Sequence, residues 1–182
     1  MLKKLGIVVG LIAALLGILA VTVAIQPADF SVQRSTTIAA PPGAVFALVN
    51  DFHEWEKWSP WAKMDPAMKT TYEGSESGAG AIYTWSGNSQ VGEGKMTILE
   101  SRAPEQVGIQ LEFLAPMKAT NTSEFSFKPE GDGTAVTWTM AGKNNFVGKA
   151  FCLFVDMDAM VGADFEKGLA AMKAAAEAAP SA

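Results

Sequence analysis

From Leu5 to Ile25 the chain runs LGIVVGLIAALLGILAVTVAI, twenty-one apolar or small residues without a charge. At a helical rise of about 1.5 Å per residue this run spans a hydrocarbon layer of about 30 Å. Lys3 and Lys4 precede it and are expected on the cytoplasmic side, which puts everything after Ile25 outside. Such a segment is either a retained anchor or a secretory signal removed after export. Thr22-Val23-Ala24 is a usable but imperfect cleavage triplet, and the run exceeds the 7–15 residues usual for a signal core. The anchor is the favoured reading. Residues 1–26 are then a transmembrane anchor, or an uncleaved signal, and residues 27–179 a ligand-binding domain. The expected location is a single pass of the cytoplasmic membrane through residues 5–25, with the domain on its outer side. A buried helix of a soluble protein would need apolar partners on every face, and the rest of the chain looks complete without it.

The remainder of 182 residues suits one domain with its own core. A net charge of −5 carries no basic footprint for nucleic acid. Cys152 is the single cysteine and His53 the single histidine, so an intrachain disulfide or a thiolate zinc site is excluded. Cys152 lies within Phe151-Cys152-Leu153-Phe154 and reads as a small buried hydrophobe. No cofactor or transition-metal site is expected.

Alternation predicts a strand over Asp29–Ile38. Pro41-Pro42 breaks it and opens a short helix, Pro42 to Asn50, carrying Val45, Phe46, Leu48 and Val49. A second short helix is expected from Asp51 to about Lys57, capped by Asn50 or Asp51 and ended before Ser59-Pro60. Strands follow over Met68–Glu73, Ala81–Ser86, Val91–Ser101, Val107–Phe113, Asn121–Lys128 and Thr134–Gly142. Gly92 and Gly94 suggest a bulge or a close contact, and Pro129 to Gly133 a hairpin turn. Lys143–Phe154 reads either as an irregular link or as the start of a helix. From Asp156 the stripe Met157, Val161, Phe165, Leu169, Met172 marks a long helix, with Pro180 as its stop. Antiparallel strands with one dry face need a cover, and the last helix is the natural one.

Several stretches, in order, resemble the polyketide cyclase/dehydrase-like branch of the START and Bet v 1-like (SRPBCC) superfamily. Pro41 to Asp51, PPGAVFALVND, is similar to its P-x-x-V-(F/W) helix. Trp55 to Trp61, WEKWSPW, is similar to its W-x-x-W-x-P/W segment. GAGAIYTW (78–85), VGEG (91–94) and GTAVTW (133–138) are similar to its glycine-bearing strands. The resemblance covers roughly Phe30 to Ala176. It implies an α+β helix-grip fold, a curled antiparallel sheet around a long C-terminal helix, here preceded by the N-terminal transmembrane helix. It also implies a hydrophobic cavity between sheet and helix. Some members bind lipids, some are cyclases, and fold alone does not choose.

The stretch NDFHEWEKWSPWAKMDP (50–66) holds three of the five tryptophans. Trp55, Trp58 and Trp61 read either as core between the short helices and the sheet or as the lid of a cavity. His53, with Asp51 and Glu54 nearby, is a weak candidate for a general base, and Tyr83 for its partner. A capping or solvent-facing histidine is the plainer reading. The glycine pairs precede no helix with a P-loop lysine and carry no phosphate site. The expected lining is Trp55, Trp58, Trp61, Tyr83 (or Ile82), Trp85, Met96, Ile98, Phe113, Phe125, Trp138, Met140, Met160 and Phe165, which suits an ordinary core equally well. Three functions stay open: a membrane-tethered binding domain for a hydrophobic small molecule or lipid; a cyclase- or dehydratase-like enzyme on an aromatic or ketide-like substrate; and a structural or protein-interaction module.

Overall fold

The computed structural model describes residues 2–178. Ala179 and Pro180, where the last helix was expected to stop, lie outside them. The elements run α1 (Leu2–Ile25), β1 (Asp29–Ile38), α2 (Pro42–Asn50), a 3-10 helix (Phe52–Lys57), a 3-10 turn (Trp61–Lys63), β2 (Lys69–Gly74), β3 (Ala81–Ser86), β4 (Glu93–Arg102), β5 (Gln106–Ala115), β6 (Ala119–Glu130), β7 (Gly133–Lys143), α3 (Phe146–Cys152) and α4 (Met157–Ala178). They form two compact units. One holds the chain up to Phe30 with Lys143–Asp156; the other holds Ser31–Gly142 with Met157 onward.

In the first unit, α1 is the one helix among the described residues long and apolar enough to cross a membrane. Every residue from Gly6 to Val21 is exposed. Near its end α1 packs on α3. The ambiguous stretch after Lys143 is thus helical, started by the Asn145 side chain, which accepts from Gly148 N. Cys152 departs from expectation: it is half-buried, because α3 buries none of its residues.

In the second unit one seven-stranded sheet has the order β1-β7-β6-β5-β4-β3-β2. The five hairpins from β2 to β7 are antiparallel, as their alternation and turns predict. The register slips between Glu93 and Gly94, where the two glycines suggested a bulge. Cross-strand partners identify the inward row. Tyr72 faces Tyr83, Tyr83 faces Met96, Met96 faces Leu111, and Gly94 faces Phe113. Tyr83, not Ile82, therefore points inward.

Proline at its first turn starts α2, which buries Val45, Phe46, Leu48 and Val49. The last carbonyls of a helix lack partners within it. Here two indoles supply them: Trp58 Nε1 donates to Leu48 O at 2.8 Å and Trp55 Nε1 to Val49 O at 3.0 Å. Helix α4 buries Phe165, Leu169, Met172 and Ala176. Its first turns are less covered than the stripe suggested: Met157 and Val161 are half-buried and Met160 is exposed. They are held by charge instead. Arg34, on the inward row of β1, donates through Nη2 to Asp158 Oδ2 and through Nε to Glu166 Oε1, both at 2.9 Å. A Cβ at Gly162 would stand 2.0 Å from that guanidinium, so glycine lets the arginine lie flat on the helix.

Candidate functional site

The aromatic side chains of the second unit fall into two groups. The first lies where α4 and the 52–63 segment meet β6 and β7. Phe165 stacks on Trp138 with ring centroids 3.8 Å apart and planes 6° from parallel. Phe125 stacks on the other neighbour side of Trp138 at 4.8 Å. Trp58 meets Phe125 and Trp138 edge-on at 5.9 and 5.6 Å, and Trp61 meets Trp138 and Phe165 edge-on at 5.7 and 6.4 Å. Trp55 lies 4.6 Å from Trp58. Trp55, Trp58, Phe125, Trp138 and Phe165 are all buried, and only Trp61 is half-buried. The indoles are satisfied from within: Trp138 Nε1 donates to Ser123 Oγ at 2.9 Å. Gly168 permits the closeness, since a Cβ there would lie 2.9 Å from the Trp138 ring. At this end the space between sheet and helix is filled by side chains.

The second group crosses β2, β3 and β5. Tyr72 and Tyr83 lie 5.5 Å apart, Tyr83 and Trp85 stack at 6.0 Å, and Trp85 meets Phe113 edge-on at 6.1 Å. All four point to the concave side of the sheet, yet all four are half-buried, as is Leu111 beside them. Trp85 lies across Gly94, where a Cβ would stand 2.3 Å from its ring, and donates to Val91 O at 2.9 Å. The track is thus pinned on its sheet side and only partly covered on the other. Lower on the same strands Ala81, Ile98, Val107 and Ile109 are buried, so the opening has a floor. Of the remaining expected lining, Met96 (9 % exposed) and Met140 (6 %) are buried beside the track and the stack respectively, and Met160 is 47 % exposed. Phe52, buried, touches both groups, 5.3 Å from Trp55 and 5.8 Å from Tyr83.

At the outer end of the track, His53 stacks on Tyr72 with centroids 4.1 Å apart. Asp51 Oδ1 accepts from His53 N and lies 2.8 Å from His53 Nδ1. Asp51 is thus both the cap of the 3-10 helix and the orienting group of the imidazole. With Nδ1 donating to Asp51, Nε2 is the basic nitrogen. The His53 side chain is half-exposed. Burial, then Tyr72 and Glu56, push the Tyr83 phenol up to about 12; burial and Glu56 also raise Tyr72. Both phenols are therefore neutral donors at ordinary pH. Tyr72 was not among the expected site residues. Its signal was present: counting outward from the 75–80 turn sets it opposite Tyr83.

Among the described residues no group of three or more histidine, cysteine or carboxylate side chains is placed to hold a metal ion. No curated protein matches the chain in sequence. Solved structures do match in fold. A protein from Rhizobium leguminosarum aligns at 12 % identity and TM-score 0.61, covering 84 % of this chain and 97 % of its own. The Aha1 dimer from Colwellia psychrerythraea gives 15 %, 0.59, 82 % and 97 %. Major latex-like protein 151 from Panax ginseng gives 12 %, 0.58, 81 % and 97 %. Residues 29–177 match the family described as polyketide cyclase/dehydrase and lipid transport. With the curled sheet gripping α4, this settles the placement: the chain belongs to that family, within the SRPBCC helix-grip superfamily of START and Bet v 1-like proteins.

Proposed function

We propose that this is a binding domain for a hydrophobic small molecule or lipid, held at a membrane by α1, and that the ligand lies on the track Tyr72–Tyr83–Trp85–Phe113. One observation carries the reading: inward-facing aromatic side chains are partly exposed at one end of the sheet while their counterparts at the other end, Trp61 apart, are buried. Apolar surface that is concave, floored and partly uncovered is what an apolar ligand needs. At about 25 cal/mol per Å² a ligand must cover about 160 Å² to offset an association cost of about 4 kcal/mol, and about 600 Å² to offset one of about 15 kcal/mol. Two neutral phenols at the rim supply polar anchoring for a headgroup or carbonyl. The family's description, which names lipid transport, agrees. The tether rests on the length, composition and exposure of α1. Native mass spectrometry of the full-length protein, gently extracted from its membrane, is expected to show a bound apolar compound that Trp85→Ala and Phe113→Ala release. Protein that is repeatedly empty and binds no lipid in titrations would overturn the reading.

A second reading, acid–base catalysis at the same rim, is favoured by the Asp51–His53 pair stacked on Tyr72. The substrate would be an aromatic or ketide-like compound. A turnover assay decides it: the activity is lost in a folded His53→Ala protein if the reading holds, and is unchanged if it fails.

A further inference from the structure

Beyond α1, helix α3 and the residues after it also expose large apolar side chains. Phe146 is 54 % exposed, Val147 59 %, Phe151 42 % and Phe154 80 %. From Ala150 to Val155 no charged side chain interrupts the run. Scattered apolar side chains on a surface need no explanation, but four large ones within nine residues form a patch that does.

The patch has a fixed level on α1. Lys149 Nζ donates to Ala24 O at 3.3 Å, and Asn144 N donates to Ala28 O at 2.8 Å. Val23, 2 % exposed, is a buried side chain on a helix whose residues from Gly6 to Val21 are all exposed. The apolar span Gly6–Ile25 has twenty residues. At about 1.5 Å each it matches a hydrocarbon thickness of about 30 Å, so Ala24 and Ile25 mark where the helix leaves that layer. Contacts to Ala24 and Ala28 therefore hold α3 at the boundary between acyl chains and headgroups. That depth suits aromatic rings, with Lys143 before the phenylalanines and Lys149, between Phe146 and Phe151, bonded to the end of α1.

We infer that Phe146–Val155 is an interfacial segment, its phenylalanines embedded in the outer surface of the same bilayer that α1 crosses. The occupant is lipid because the apolar face of α3 continues the lipid-facing surface of α1, with which it forms one unit. α1 then holds the chain at the membrane in depth, and α3 fixes the rotation and height at which it emerges. This rests on the tether reading above.

The test uses the full-length protein reconstituted in vesicles of phosphatidylcholine and phosphatidylglycerol. An environment-sensitive fluorophore is attached at Phe154→Cys or Leu15→Cys, each with Cys152→Ser. Quenching by lipids spin-labelled shallow or deep in the acyl chain reports depth. The expected result is strong shallow quenching at position 154 and deep quenching at 15. Phe154 is largely exposed, so its replacement leaves the fold intact, which circular dichroism checks. A label at 154 no more quenched than in vesicles without spin-labelled lipid, with 15 still quenched, overturns the inference and leaves the tether standing. No quenching at 15 overturns both.

Discussion

Two aromatic groups share one sheet and meet at Phe52, yet their surroundings differ. Around Trp138, which is 2 % exposed, Phe125 and Phe165 stack on the ring and Trp58 and Trp61 meet it edge-on. Around Trp85 the cover is partial: Tyr83 stacks on it, Phe113 meets it edge-on, Gly94 lies beneath it, and solvent reaches what remains. The residue types are alike. What differs is cover, because the packing of α4 with α2 and the 52–57 helix closes one end. The same chemistry is therefore buried in the fold at one end and left partly exposed at the other.

Substitutions in the closed stack are the strongest challenge to that division. Trp138→Ala is expected to cost about 3–5 kcal/mol of unfolding free energy in denaturant titrations, through the cavity and the lost hydrogen bond to Ser123. Its effect on ligand affinity in protein that still folds is expected to be minor. Trp85→Ala and Phe113→Ala reverse the pattern, losing about 1–2 kcal/mol of stability, since each ring is already partly exposed, but about tenfold or more in lipid affinity by titration. Equal stability losses at Trp85 and Trp138 would erase the distinction.

Two effects of pH are smaller. Arg34 hydrogen-bonds to Asp158 and holds its carboxyl below the ordinary value of 3.8. That contribution is present above the ordinary value and lost as pH falls through the depressed one. The melting-temperature difference between the native protein and Arg34→Ala is therefore expected to be flat near neutrality and to shrink in acid. Tyr83, raised to about 12, acts in the other direction. Its contribution is whole below the ordinary phenol value of 10.0 and fades as pH rises through about 12. Absorbance titration of the folded protein is expected to show a phenolate forming only near pH 12, and Tyr83→Phe to remove that step. The least effect belongs to His53→Ala, within about 0.5 kcal/mol of native stability, since the ring is half-exposed and caps nothing.

Period-two alternation was enough to place all seven strands to within two residues at each end, because one face of each is dry. The proline-started helix and the 129–133 turn were legible for equally local reasons. Cover was not. Alternation says which face Phe113 and Phe125 share and nothing about which of them a helix lies over, so both entered the same expected lining. Nothing local in the sequence explains a charged Arg34 on the inward row of β1, because its partners, Asp158 and Glu166, lie more than 120 residues away. The 143–154 stretch resisted assignment since apolar residues on nearly every side give a short helix no periodicity to read.

The division between closed and open ends can be tested with a photoreactive fatty acid added to the full-length protein, followed by mapping of the labelled peptides. The expected outcome is adducts on Tyr72, Tyr83, Trp85 or Phe113, competed away by unlabelled lipid, and none on Phe125, Trp138 or Phe165. Adducts confined to α1 and α3, with residues 69–115 unlabelled, would contradict it.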